Sequence, residues 1–406
     1  MSSPTWLRWP TVATIHAYGP LGAGHVNPML GIVAELVRRH HRVRFWAPAE
    51  FGDRIAETGA RFEPVTSTWE QLGGQPPQMH GREFLRAMGL LLDETKAMVS
   101  TLGQAPKPDL VLHDGTLTWW GRILAHRWQL PAVETLPNLV SNRHWSMNAY
   151  TKINPVDPRF LWQMLRIGRY LRSQGIDRVG DFMQGTTAAA RIVTVPRAFQ
   201  YRGDTFDGWD FVGPCLTDRA FQGDWQPAGA HHEVGAEHPV LLVSLGSSYN
   251  ARPDIYRMII ASAADRPWQV VMSIGDRVTA ADLGPIPDNV EVQPRLPQLA
   301  VLRHARAFVT HAGMGGTMEG LRAGVPLIAL PQMAEQRANA DRIAELGLGV
   351  ALDPDRLDAP TLWSAVEATA DDDGIRDRLD WMRAEMDAAG GAPAAADVVD
   401  RVLAAQ

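Results

Sequence analysis

Two groups of residues in this sequence have the types and spacing to carry chemistry. His25 stands in GPLGAGHVNPMLGIVAELVRRHHRV, immediately after the β-rich run TVATI. A neutral imidazole on such a loop can take the proton of an attacking hydroxyl, and the positive end of a following helix opposes its premature protonation. Asn27 is a favourable N-cap and Pro28 suits the first helical position. The helix is therefore expected to start at Pro28 and to turn Met29, Ile32, Val33, Leu36 and Val37 to the core. The competing role for His25 is to cap a turn. Asp114 follows the run DLVLH on what should be the same rim of a sheet. It could accept the second ring proton of His25 and fix its tautomer, or cap a helix beginning near Thr116. His113 reads as a strand residue.

The second group follows the run RAFVT, in HAGMGGTMEGLRAGVPLIALP. Gly313, Gly315 and Gly316 permit a tight turn, and a helix starting near Gly316 offers unpaired amides to an anion such as a diphosphate. Thr317 adds a hydroxyl, His311 a ring donor, and Glu319 a carboxylate able to accept two ribose hydroxyls. Gly324 and Pro326 should end the helix. Glu335 and Gln336, in PQMAEQRANADRI, could bond sugar hydroxyls, and SLGSS offers Ser247 and Ser248 at another strand end. The competing role for these glycines is close helix-to-sheet packing with no ligand. Gly19, Gly22 and Gly24 lack the G-x-G-x-x-G spacing and leave only Glu50 as a doubtful ribose partner, which speaks against a nicotinamide enzyme.

The elements that must position these groups follow a repeating order. Short runs TVATI, RVRFWA, DLVLH, PAVET and RIVTV alternate with helical stretches, as in a parallel sheet covered by helices. After about residue 235 the order starts again with PVLLVSL, WQVVMSI, NVEV, RAFVT, VPLIAL and LGVAL. Between the two lies a Gly-, Pro- and Asp-rich stretch from Tyr201 to Pro239 that reads as linker. The expected domains are residues 1–218 and 219–390. Residues 391–406 form a last helix, set off by Gly390, Gly391 and Pro393, that crosses back to the first domain. The run Asp371, Asp372, Asp373 reads as a solvated helix boundary rather than a metal site.

Composition narrows the partners. A chain of 406 residues, 45% hydrophobic and 21% charged, has room for two cores. A formal charge of -6 and the lack of a basic tract argue against nucleic acid, and offer no attraction to anionic lipid. Cys215 is the sole cysteine, so no internal disulfide or multi-cysteine metal site can form. The start lacks the apolar run of a signal peptide and no stretch reaches spanning length, so a cytoplasmic protein without membrane insertion is expected. Association into a homodimer is left open.

The segments GHVNPML, LVLHDG, LVSLGSS, PDNVEVQPRLPQLAVL, VTHAGMGGTMEGL and PQMAEQRANAD resemble, in order and spacing, the macrolide glycosyltransferases of actinomycetes. These belong to the GT-B superfamily of UDP-sugar-dependent enzymes, and the likeness runs from about residue 11 to the C-terminal helix. It implies two Rossmann-like α/β domains facing each other across a deep cleft. By resemblance His25 is the general base and Asp114 its partner. Ser247, His311, Gly313, Gly316 and Thr317 would hold the diphosphate, Glu319 the ribose, and Gln298 the base. Glu335 and Gln336 match a sugar-binding Asp-Gln pair. Arg295 stands where many relatives have a stacking Trp, and Glu335 is one methylene longer than the usual Asp; both leave nucleotide and sugar less defined.

The implied reaction is inverting transfer from a UDP-sugar, glucose being favoured, to a hydroxyl of a hydrophobic macrolide or other polyketide acceptor. No resident cofactor or metal is required, since main-chain amides and His311 would receive the leaving-group charge. Apolar residues of 66–100 and 138–185, among them Trp69, Phe84, Met88, Leu91, Trp145, Met147, Tyr150, Phe160, Trp162 and Met164, could line the acceptor cleft, about a third of them in the pocket and the rest in the core. The alternatives are a TDP-deoxysugar-dependent transferase, a non-catalytic nucleotide-sugar-binding accessory protein, and a nucleotide-sugar epimerase. Neither the acceptor nor a biosynthetic or inactivating role can be read from the residues.

Overall fold

The structure, a computed structural model, describes residues 12–72, 81–217, 223–227, 238–246 and 250–406. The first unit runs β1 (Thr14–Tyr18), α1 (Ala23–Arg38), β2 (Arg42–Ala47), α2 (Gly52–Glu57), β3 (Arg61–Pro64), α3 (Gly81–Leu102), β4 (Leu110–Asp114) and α4 (Trp119–Trp128). It continues with β5 (Ala132–Leu136), α5 (Asn148–Thr151), α6 (Pro158–Ser173), α7 (Val179–Met183), β6 (Ala190–Val193) and β7 (Asp210–Phe211). The second unit runs β8 (Val240–Ser244), α8 (Pro253–Ala263), β9 (Gln269–Ser273), β10 (Val290–Gln293), α9 (Gln298–Leu302), β11 (Ala305–Thr310) and α10 (Met314–Ala323). After it come β12 (Leu327–Ala329), α11 (Ala334–Glu345), β13 (Gly349–Ala351), α12 (Ala359–Ala370), α13 (Asp373–Ala389) and α14 (Gly391–Ala404).

Each unit is one parallel sheet, ordered β3-β2-β1-β4-β5-β6-β7 in the first and β10-β9-β8-β11-β12-β13 in the second. The central strands are buried on both faces, which is why LVLHD and VLLVS read as continuous rather than alternating runs. Strand order reverses between β1 and β4, and again between β8 and β11. Those two points place crevices beyond the carboxyl ends of the strands, where loops are free to carry chemistry.

Two strands depart from the sequence expectation. β3 lies within a stretch read as helical, and β7 pairs with β6 from inside the supposed linker, so the first sheet extends into that stretch. Both are edge strands whose short sequences carry little apolar signal and which are held by pairing. The expected domain boundary at residue 218 lies outside the described residues.

The two units share a hydrophobic cluster in which Leu139, Val195 and Phe199 of the first meet Met314, Ala338 and Met386 of the second. Arg342 of α11 donates to the carbonyls of Phe199 and Ala198 at 2.9 and 3.0 Å, and Tyr150 of α5 donates to Asp341 at 2.9 Å. Gly390, at φ 86°, breaks α13 from α14 in the left-handed conformation that glycine favours. Asp372 caps α13 by accepting from the Ile375 amide at 3.0 Å, so the acidic run is a helix boundary, as its surroundings suggested.

α14 then packs on α1 of the first unit, burying Ala395, Ala396, Val398, Val399 and Val402. Arg39 bonds Asp397 and Asp400 at 2.6 and 2.7 Å. The Ala13 amide donates to His41 Nδ1 at 3.2 Å, which leaves His41 Nε2 to donate to Asp400 at 2.8 Å. Asp400→Ala removes the acceptor from this buried ring, and the expected loss is about 1–3 kcal/mol. Urea unfolding checks it, and an unchanged midpoint would show that α14 is not anchored here.

Candidate active site

His25 reaches the crevice of the first sheet from the opening turn of α1. The helix starts at Ala23 rather than Pro28, with Gly22 as N-cap at φ 153°. Asn27 is accordingly not the N-cap; it sits one turn in, and its buried Oδ1 has no partner. Pro28 lies inside the helix and removes the amide that the Gly24 carbonyl would otherwise accept from. His25 Nδ1 is 2.8 Å from Asp114 Oδ2.

Asp114 is fully buried at the end of β4 and serves two purposes at once. Its Oδ1 accepts from the amides of Thr116 and Leu117 at 3.0 and 2.7 Å, while Oδ2 holds the imidazole. The capping and pairing roles that the sequence sets against each other are therefore divided between its two oxygens. α4 begins later than expected, at Trp119, so Asp114 closes a turn and not a helix. A carboxylate accepts only, so Nδ1 carries the hydrogen and Nε2 presents its lone pair.

Burial is the largest influence on the His25 ring and by itself would lower its pKa. The charge and hydrogen bond of Asp114, with Glu335 across the cleft, outweigh it and hold the pKa above the ordinary 6.5. The neighbouring His113 is fully buried, its pKa lowered chiefly by burial, and Gly121 packs against its ring. It is a strand residue, as its position suggested.

The crevice of the second sheet holds the glycine turn. α10 starts at Met314 with Gly313 as N-cap, not near Gly316. The left-handed residue of the turn is Ala312, at φ 58°, whose carbonyl is held by Asn339 at 2.9 Å. Among the described residues no side chain caps α10, and its first turn has no acidic residue, so the amides of Met314, Gly315 and Gly316 have no partner there. A methyl group at Gly315 would meet nothing within 4 Å, which marks this turn as open.

His311 is wedged between two glycine loops. A Cβ at Gly246 would lie 2.5 Å from its Nε2, and one at Gly313 would fall inside contact distance of the same atom. Burial lowers its pKa to about 4, so the ring is neutral near pH 7. Thr317 is fully buried with an unpartnered hydroxyl, enclosed rather than on the open face. Gln298 donates to Glu319 at 2.6 Å, which joins the expected base and ribose contacts into one pair. Ser247 and Ser248 lie outside the described residues.

Two expected contacts are engaged elsewhere. Arg295 is exposed, and one edge of its guanidinium is held by Asp276 at 2.6 Å. Gln336 Oε1 accepts from the amides of Gln332 and Met333 at 2.8 and 3.1 Å, capping α11. Glu335, one residue before it, faces His25. Burial is the main cause of its raised pKa, partly offset by His25 and Asn339. Oriented with its nitrogen toward the second unit, the Asn138 amide donates to Glu335 at 3.0 Å across the cleft.

The starts of α1 and α10 face each other. A cavity of about 40 Å³ between them is lined by Ala23, Gly24, Asn27, Met314, Gly315 and Glu319. Neither helix has a side-chain cap or an acidic residue in its first turn. Two positive helix ends thus meet at one point between the units, and His25 stands on the opening turn of one of them.

Known proteins resemble this chain over most of its length. Residues 257–405 match the family described as erythromycin biosynthesis protein CIII-like, C-terminal domain. The chain is 37% identical to a demethyllactenocin mycarosyltransferase of Streptomyces fradiae, over 94% of this chain and 84% of that one. It is also 37% identical to an oleandomycin glycosyltransferase of Streptomyces antibioticus, over 98% and 92% of the two chains. The crystal structure of the glycotransferase of kitacinnamycin superposes with a TM-score of 0.84 at 33% identity, covering 97% of this chain and 100% of that one. The chain belongs to the macrolide-type GT-B glycosyltransferases of natural products.

Within this glycosyltransferase the sequence assigned Asn27 a capping role it does not have, and singled out neither Asn138 in the cleft nor Asn339 behind the glycine turn. Asn138 follows the carboxyl end of β5, a position that marks functional loops, and that signal alone could have found it. Of the candidate acceptor residues, Met88 and Leu91 are core, Trp145 and Met147 pack into the cluster shared by the units, and Trp162 is exposed. Among the described residues no helix is long and apolar enough to cross a membrane. A larger cavity, about 650 Å³, opens at the opposite rim beside Pro131 and Ala132 and contains neither group.

The His25 ring should titrate above pH 6.5 by NMR. In Asp114→Asn the opposing burial is no longer outweighed, and the midpoint is expected to fall. An unchanged midpoint would mean that the carboxylate does not set the charge of the ring.

Proposed function

We propose that this glycosyltransferase moves a sugar, glucose first among candidates, from a UDP-sugar to a hydroxyl of a macrolide or other polyketide, with inversion at the anomeric carbon. The observation that carries the reading is the His25–Asp114 pair facing the uncapped start of α10 across one cleft. Residues 1–218 would bind the acceptor and 219–390 the donor. The acceptor hydroxyl gives its proton to His25 Nε2 as its oxygen attacks C1 of an α-linked donor. The bond from C1 to the phosphate oxygen breaks, and its electron pair leaves with the nucleoside diphosphate.

The amides of Met314, Gly315 and Gly316, the ring of His311 and the two helix ends are suited to receive that charge, and need no divalent ion to do so. Gly313 and Gly316 would let the pyrophosphate approach the main chain, with Ser247 adding a hydroxyl, while Thr317, enclosed behind the turn, would reach it only if the start of α10 opens. Glu319, shared with Gln298, would accept from the ribose, and Glu335 would bond the sugar near the base. Gln336 would contribute its amide nitrogen, since its oxygen caps α11. The antibiotic acceptor class comes from the relatives, one of which is named an oleandomycin glycosyltransferase.

A thymidine-linked deoxysugar is the second reading. It is favoured by the mycarosyltransferase relative. Competition between uridine and thymidine diphosphates for the free enzyme separates the two, and tighter binding of the thymidine form would select the second.

His25→Ala should lower transfer by about 10²- to 10⁴-fold while donor binding persists. Turnover equal to wild type would remove His25 from the mechanism. The neutral ring is the active form, and its pKa is raised, so kcat/KM should fall as pH drops through a value above 6.5. Activity should survive chelation of divalent ions, and a loss restored by magnesium would contradict the role given to the helix ends.

A further inference from the structure

Most apolar side chains of this protein are inside, but α6 is an exception. Leu161, Trp162 and Leu165 are 51%, 57% and 63% exposed, and Val156 just before the helix is 73% exposed. The opposite face, with Gln163, Ile167, Gly168 and Leu171, is buried against the first unit. The same helix carries Arg159, Arg166, Arg169 and Arg172 and no acidic residue.

These charges are incompletely neutralised. Arg159 pairs with Asp157 at 2.7 Å, and Arg166 approaches Asp93 at 3.5 Å while lying 4.8 Å over the Trp162 ring. Lys96, from the neighbouring α3, shares that same Asp93 at 3.3 Å. Arg169 and Arg172 are exposed and have no carboxylate partner among the described residues. At helical spacing Leu161, Trp162, Leu165, Arg169 and Arg172 fall on one stripe, apolar in its first half and cationic in its second.

We infer that α6 docks the protein on an anionic lipid surface, lying in the plane of the interface without crossing it. Exposed Trp and Leu beside arginines on a half-buried helix match the chemistry of the boundary between headgroups and acyl chains. The overall charge of -6 does not oppose this. Charges more than about 10 Å from the stripe are screened at ordinary ionic strength, so the local excess of arginine decides. A second copy of the chain is a poor occupant, because a contact between copies would bury Arg169 and Arg172 of both with no carboxylate partner among the described residues. The surface would hold the first unit where apolar small molecules concentrate.

The test is flotation of the full-length protein with vesicles of phosphatidylcholine alone or mixed with phosphatidylglycerol. Binding to the mixed vesicles, weakened by added salt, is expected. A fall of roughly tenfold or more is expected in Arg169→Glu/Arg172→Glu. Leu161→Ser/Leu165→Ser should also release the protein, with helical content unchanged by circular dichroism. Absence of flotation, equal binding to neutral vesicles, or undiminished binding of both variants would overturn the inference. So would a dimer in gel filtration that the variants split, which would make the face a contact between copies. A raised acceptor KM in the leucine variant with flotation intact would make it instead a wall of the acceptor cleft.

Discussion

The site depends on the 2.8 Å bond between His25 and Asp114. A carboxylate with no solvent access is tolerated only when its oxygens are satisfied, and Asp114 is satisfied by two main-chain amides and one imidazole. Removing any of these donors would expose the cost of burying the charge. The bond also chooses the tautomer of His25 and counters the burial that would otherwise make the ring a poor base. It can form only because β1 and β4 are neighbours in the first sheet although two strands and three helices separate them in sequence.

The second constraint is the placement of one sheet against the other. The shared apolar cluster and the contacts of Arg342, Tyr201 and Tyr150 fix where α10 and α11 meet the first unit. α14 closes the chain back onto α1, so the helix that carries His25 is braced from behind by Val399 and Ala396. The outcome is a cleft whose two walls contribute unlike parts: a hydrogen-bonded imidazole on one side and unpaired main-chain donors on the other. The cross-cleft bond from Asn138 to Glu335 joins them where the sugar is proposed to sit.

Much of this was legible in the residues, for reasons that differ by element. The buried parallel strands announce themselves because both of their faces must be apolar, as in VLLVS. β3 and β7 were not legible, since RFEP and DF are held at sheet edges by pairing alone. Helix starts were misplaced at α1 and α10 for one shared cause. Gly22 and Gly313 are the N-caps, and a glycine cap leaves no side-chain signal, whereas Asn27 and Pro28 imitate a start they do not make. The open amides that result from those glycine caps are the feature on which the proposed diphosphate grip rests.

Single residues followed the same logic. His25, Asp114, His311 and Glu319 could be placed at the two crevices from sequence because their positions at strand ends or on the first turns of helices constrain what they can reach. Arg295 and Gln336 also have local partners, Asp276 and the cap of α11, that spacing does not reveal. Asn339, fully buried and tied to the strained Ala312, lies in PQMAEQRANAD, but nothing in that segment points to a structural task for it. Its part in shaping the turn emerges only when α11 is folded against α10.

The most direct measurement is a crystal structure of the enzyme with a non-transferable nucleotide sugar. The account predicts the pyrophosphate on the amides of Gly315 and Gly316, with the anomeric carbon facing His25 Nε2. A pyrophosphate bound away from the start of α10, or an imidazole turned from the sugar, would contradict it.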